Sequence, residues 1–280
     1  MVALLTPETI ELVPNIAKAI QNLTRFYTVS IQPFIPQCAE LLIQFLVTDS
    51  KRTNAISSDD QIRSETDMET MLQGTVLNCL ASLISSFPEE MSAYMETILT
   101  MTCQWLTSDE DGEDNIASAA DAVYEMSQGL RSIDIDPHPL IGALLSSLSS
   151  TGYVDIVNNL FRALGAMLTQ ISEKLNEECV KQISDFFVEI LEGSRAEFID
   201  EEQNEIDRDI QNGFFFAFKC FVLSGVITKI ELDKTLEILH SKITEKTKPQ
   251  LIALSNLALS RIIFVAPEGK EELACECIQN

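Results

Sequence analysis

Histidine is the side chain most often used to move protons near neutral pH, and this chain has two. His138 lies between Pro137 and Pro139 at a helix start, and His240 follows Leu239 on an amphipathic stretch. Nucleophilic catalysis needs a nucleophile, a base and an orienting group in one place, and no His-Cys or Ser-His-acid set can be assembled from these positions. The seven cysteines, at 38, 79, 103, 179, 220, 275 and 277, form no regular framework. Most sit among apolar neighbours, as buried free thiols do, which fits a reducing compartment. Cys275 and Cys277 are one residue apart, which is neither CxxC nor zinc-knuckle spacing. Ala266-Pro267-Glu268-Gly269-Lys270 ends in Gly-Lys but lacks the upstream glycine and the Ser/Thr of a phosphate loop. The acidic run at 109–114 lacks the Asp-x-Asp-x-Asp-Gly spacing and the distal Glu of a calcium loop. The expectation is a chain without catalytic, metal or cofactor residues, and not an enzyme.

The acids point instead to recognition. With 43 Asp and Glu against 19 Lys and Arg, the formal charge is −24. Such a balance repels phosphate backbones and anionic headgroups, so nucleic acid and membrane surfaces are not the expected partners. It attracts basic segments of other proteins; alternatively, it only keeps an elongated molecule soluble. Asp109, Glu110, Asp111, Glu113 and Asp114 gather between two helices, on a rim or concave edge. A second acidic stretch, 192–209, carries eight acids, among them Glu201, Glu202 and Glu205, against Arg195 and Arg208. These acids are the candidate partner-binding residues. Trp105, the single Trp, is either a binding anchor or a packing residue between repeats. Gly213-Phe214-Phe215-Phe216-Ala217-Phe218 puts four aromatics in five residues, which cannot all face one side of a helix. Two neighbouring repeats are expected to enclose them. The greasiest stretch, 213–227, is too short for a bilayer span and contains Lys219, so no membrane insertion is expected.

The elements that must position these residues are helices. Apolar residues recur at steps of three and four almost everywhere, and no convincing period-two strand is present. The clearest helix runs over about 153–171, with Val154, Val157, Leu160, Phe161, Leu164, Met167, Leu168 and Ile171 in step. The next covers about 174–191, with Cys179, Val180, Ile183, Phe186, Phe187, Ile190 and Leu191. Prolines open further helices in Pro33-Phe34-Ile35-Pro36, Phe87-Pro88-Glu89-Glu90, Asp136-Pro137-His138-Pro139 and Lys248-Pro249, where the missing N–H does no harm. Thr6-Pro7-Glu8 begins the first, with Thr6 as its cap. Alternating A helices then begin near 8, 66, 113, 152, 202 and 247, and B helices near 33, 88, 137, 174, 231 and 268.

The unit repeats every 37–57 residues or so, which brackets the two-helix repeats of HEAT and armadillo arrays. A unit of this kind cannot bury its apolar stripe alone, so stacking supplies the core. The expected fold is all-α: one HEAT-repeat superhelix (solenoid) of about six helix pairs over residues 1–280, read as a segment of a longer array. The stretch 48–67 is expected to be the most polar and mobile loop. The stretch 192–209 is expected to combine a loop with the first turns of the next helix, where acids favour the dipole.

Asp109-Glu110-Asp111-Gly112-Glu113-Asp114-Asn115-Ile116-Ala117-Ser118-Ala119-Ala120-Asp121-Ala122 has the HEAT pattern of acidic turn, branched apolar residue and close-packed alanines. Gly74-Thr75-Val76-Leu77-Asn78-Cys79-Leu80-Ala81-Ser82-Leu83-Ile84, followed by Met91-Ser92-Ala93-Tyr94-Met95-Glu96-Thr97-Ile98-Leu99, adds an A helix, a turn and a Tyr-hydrophobic-acidic B helix. These segments resemble the importin-beta (karyopherin-beta) family of nuclear transport receptors. Leu191-Glu192-Gly193 before an acidic stretch is similar to the importins for ribosomal proteins and histones. The aspartate–arginine pair of strongly conforming HEAT repeats is largely missing, and the family's receptors carry about three times as many repeats. The resemblance implies acidic loops that contact basic cargo or the small GTPase Ran, phenylalanine–glycine nucleoporins as further partners of a full receptor, and shuttling between cytoplasm and nucleus. A static scaffold, such as the regulatory subunit of a phosphatase complex, has the same architecture and needs neither Ran nor a basic ligand.

Overall fold

The computed structural model describes residues 13–53, 62–108, 113–200, 205–207 and 209–226. The chain divides into two compact units, Met1–Ser147 and Leu148–Asn280.

In the first unit, α1 (Val13–Phe26), α4 (Ile62–Ser86) and α7 (Glu113–Leu130) form one layer, with α4 packed against both neighbours. Between α1 and α4 run the short α2 (Thr28–Ile31), one 3-10 turn and α3 (Ile35–Thr53). Between α4 and α7 run α5 (Pro88–Met91), another 3-10 turn and α6 (Met95–Leu106). Helix α3 packs on α4, and α6 on α7. The α8 helix (His138–Ser150) follows. Helix α3 buries a stripe of Ile35, Cys38, Ala39, Leu42 and Leu46, and α7 one that includes Ile116, Ala119, Ala120, Val123 and Leu130.

Small residues let α4 and α7 approach closely. A Cβ added at Gly74 would strike the Ser118 hydroxyl. One added at Gly129 would lie 2.6 Å from the Ile84 carbonyl carbon and nearer still to its oxygen. Residue 74 thus faces 118 and 84 faces 129, so the two helices run parallel, as translated copies of one repeat must. The second unit repeats the device. Helix α9 (Val154–Ile171) lies along α11 (Gln211–Ser224), with Asn158 beside Gly213 and Gly165 beside Ala217. The chain is an all-α fold of helix-pair repeats.

Helix α10 (Glu177–Glu192) begins at Asn176, whose side chain accepts the Cys179 N–H at 2.9 Å. It ends at Gly193 (φ 80°), whose N–H bonds the Ile190 carbonyl while the Ser194 N–H bonds that of Glu189. That six-to-one, five-to-two pair of bonds closes the helix. The aromatic core of this unit joins α9, α10 and α11. The Phe161 ring lies 5.7 Å from Phe214 and 6.4 Å from Phe186, and Phe187 lies 5.4 Å from Phe218.

Three expectations need correction. The A helix placed near 202 begins at Gln211. The acidic stretch before it holds a 3-10 turn and a two-residue antiparallel ladder, β1 (Ile199–Asp200) with β2 (Glu205–Ile206). Buried Phe198 anchors this ladder; its carbonyl accepts the Asp207 N–H, which draws the backbone away from helix. The polar stretch at 48–67 is helical at both ends, since α3 runs to Thr53 and α4 starts at Ile62. The aromatic run is enclosed only in part. Phe214 and Phe218 are buried, whereas Phe216 is 40% exposed. The helix starts expected near 8, 231, 247 and 268, the Thr6 cap, His240, Cys275 and Cys277 lie outside the described residues.

Candidate functional site

Glu113 and Asp114 occupy the first turn of α7, where unpaired N–H groups favour carboxylates. Asp114 is exposed and Glu113 half-buried. Asp109, Glu110 and Asp111 lie outside the described residues, as do Glu201 and Glu202. Glu205 pairs with Asp200 across the two-residue ladder. Trp105 is only 9% exposed, on the stripe of α6 that also buries Ile98 and Met101, so its ring is not displayed as a surface anchor.

A feature that sequence reasoning missed lies between α6 and α8: a groove of about 720 Å³ within the first unit. Half-buried Leu99 on α6 and Ile135 give it apolar surface, backed by buried Met95 on α6 and Leu140 and Ala143 on α8. Glu96, Asp134 and Asp136 supply its charge, and the described residues lining it include no Lys or Arg. Asp136 accepts the His138 N–H at 3.1 Å and pairs with the ring Nδ1 at 2.5 Å. The backbone bond, then the ring bond, holds its carboxyl below the usual range. Ser147 on α8 donates to the Leu106 carbonyl at the end of α6 and ties the far ends of the two walls together.

A second cleft, of about 730 Å³ and more polar, crosses α1, α4 and α7. Gln21, Asn78, Ser82 and Glu125 line it, and Ser82 donates to Glu125 at 3.3 Å. In the second unit, Arg195 stacks 4.6 Å over Phe186 and bonds Glu189 (2.8 Å), Glu197 (3.3 Å) and Ser149 (2.9 Å). It ties a turn to a helix and presents no free cation.

Chemistry at these places is limited. Cys103 lines the groove, but burial pushes its thiol up, the reverse of an activated nucleophile. Burial does the same at Cys38 and Cys220, and takes Cys79 to about 12. No cluster of three or more metal-ligating side chains occurs among the described residues. No helix among them is long and apolar enough to cross a membrane.

No protein-family model and no curated protein sequence matches the chain. Its fold is similar to the crystal structure of an engineered protein, a target of the Northeast Structural Genomics Consortium. The TM-score is 0.57 and the identity 18%, over 93% of this chain and 94% of that one. At that identity the likeness concerns the helical fold alone.

Proposed function

We propose that the chain is a protein-binding HEAT-repeat segment of an importin-beta-like transport receptor that takes basic protein cargo, with Ran and phenylalanine–glycine nucleoporins as further partners in a full receptor. In this reading Asp109, Glu110, Asp111, Glu113 and Asp114 form one contact and Glu201, Glu202 and Glu205 another, and the protein passes between cytoplasm and nucleus. The observation that carries it is charge on a repeat scaffold: a net −24 on stacked helix pairs, with exposed Asp114 at a helix entry. Basic peptides gain Coulomb energy there, and salt weakens the gain. A pull-down with a Lys/Arg-rich peptide at low and physiological salt tests it. Salt-sensitive capture is expected, and absence of capture at low salt contradicts it.

A static scaffold in a multiprotein complex is the second reading. It is favoured by the apolar turn after α1, where Phe26, Tyr27, Val29 and Phe34 are each more than half exposed. A permanent partner would cover such a patch. Co-purification with an enzyme subunit that survives moderate salt favours this reading over the first.

A further inference from the structure

Gly142 stands inside α8, where glycine costs helix stability relative to alanine. A Cβ at Gly74, Gly129, Gly165 or Gly213 would come within 2.6 Å of a neighbouring element. Gly142 differs: a Cβ there would meet nothing within 4 Å. It lines the groove between α6 and α8, so the space it keeps open is groove space. Packing does not explain it; the close approach of another backbone would.

We infer that the α6–α8 groove is a docking site for a short segment of another protein, with an apolar side chain seated on half-buried Leu99 and Ile135 and flanking Lys or Arg side chains facing Glu96, Asp134 and Asp136. Charge complementarity selects this occupant. All three charges on the described lining are negative, on a chain that is itself strongly acidic, so an acidic or phosphorylated segment is repelled. The apolar floor distinguishes it from a purely basic tail, which leaves that floor wet. Two helix walls with charge at the edges form the groove-type mode of peptide recognition. This inference rests on the basic-partner reading above and adds a contact in the groove to those on the acidic turns.

The test uses a short fluorescein-labelled peptide of alternating Leu and Lys, with a Leu/Glu peptide and a Ser/Lys peptide as controls. Fluorescence anisotropy follows binding to the full chain, to Gly142→Trp and to Gly142→Ala. Because open space surrounds the Gly142 Cβ position, the Trp variant fills the groove without entering the core, and thermal unfolding checks that it folds. The Leu/Lys peptide is expected to bind more tightly than the Ser/Lys peptide, which is held by charge alone, the Leu/Glu peptide is expected not to bind, and Gly142→Trp is expected to weaken the Leu/Lys peptide about tenfold or more. Gly142→Ala, with its single methyl, is expected to weaken it less than the Trp variant. Bound peptide should also slow alkylation of Cys103, which lines the groove, relative to Cys220 in the other unit, read by mass spectrometry. Equal binding by Gly142→Trp, equal binding by a control peptide, or unprotected Cys103 overturns the inference.

The two readings fail separately. If the Leu/Lys peptide ignores Gly142→Trp but is lost in Glu113→Gln/Asp114→Asn, basic partners bind at the turn and the groove assignment falls alone. If it binds in the groove while the Lys/Arg-rich peptide is not captured, the transport reading falls alone. If neither peptide binds, both fall.

Discussion

Gly142 lies inside α8 and Gly129 in the last turn of α7, and replacing each by Ala should move stability in opposite directions. At Gly142 the new methyl meets open space, so only the backbone-entropy gain remains, about 0.5–1 kcal/mol. For a domain of this size that raises Tm by about 1–4 °C. At Gly129 the same gain is opposed by a Cβ 2.6 Å from the Ile84 carbonyl carbon, a backbone atom on α4 that cannot rotate away. Overpacking of this kind costs about 1–3 kcal/mol, and a backbone clash belongs at the upper end, leaving about 2 kcal/mol of net destabilisation. Tm should fall by about 4–8 °C. Gly165→Ala belongs between them, because its new methyl meets chiefly the ring of Phe216, which is 40% exposed and can swing aside. Differential scanning calorimetry or circular-dichroism melting of the three variants gives the ranking. A Gly129→Ala protein as stable as Gly142→Ala would refute the close parallel contact of α4 and α7, and with it the repeat stacking of the first unit.

Phe161→Ala removes the ring that meets Phe186, Phe198 and Phe214, and a loss of about 3–5 kcal/mol is expected in urea unfolding; a loss under 1 kcal/mol would contradict the shared aromatic core. Asn176→Ala removes the α10 cap and should cost about 1 kcal/mol, with Asn176→Asp retaining most of the stability. Cys79 is buried and its thiol is raised from 9.0 to about 12, chiefly by desolvation. A folded pKa above the unfolded one contributes stability that is complete below pH 9.0 and is lost as pH climbs toward about 12. Stability should therefore fall across that window, and less steeply in Cys79→Ala; identical slopes would remove Cys79 as a cause.

Helices α9 and α10 were readable because their stripes are long and pure. The apolar steps of α9 locate its ends to within a residue, Val154 against an expected 153 and Ile171 as expected. Proline marked α5 and α8 for the same reason that it opens helices in general, its missing N–H falling where no partner is needed. The acidic stretch before α11 misled because carboxylates that suit a first helical turn also suit an exposed hairpin. Buried Phe198 decides between them, and its burial depends on Phe161 and Phe186, distant in sequence. The groove was illegible for a related reason. Its walls come from 92–107 and 134–146, each of which reads alone as an ordinary helix or connector. Asp136 was visible only as part of a proline-marked helix start. Gly142 was the available signal, a mid-helix glycine without a neighbouring turn, and what makes it informative is the empty space beside it.

The most direct test of protein binding through charge is a titration of a labelled Lys/Arg-rich peptide against the chain at two ionic strengths. Between about 0.01 M and about 0.15 M the Debye length shrinks from about 30 Å to about 8 Å. Binding at the lower strength that weakens severalfold at the higher, with a charge-reversed peptide inert at both, is the predicted result. Equal affinity for both peptides, or no binding of the basic one at low salt, would contradict the account.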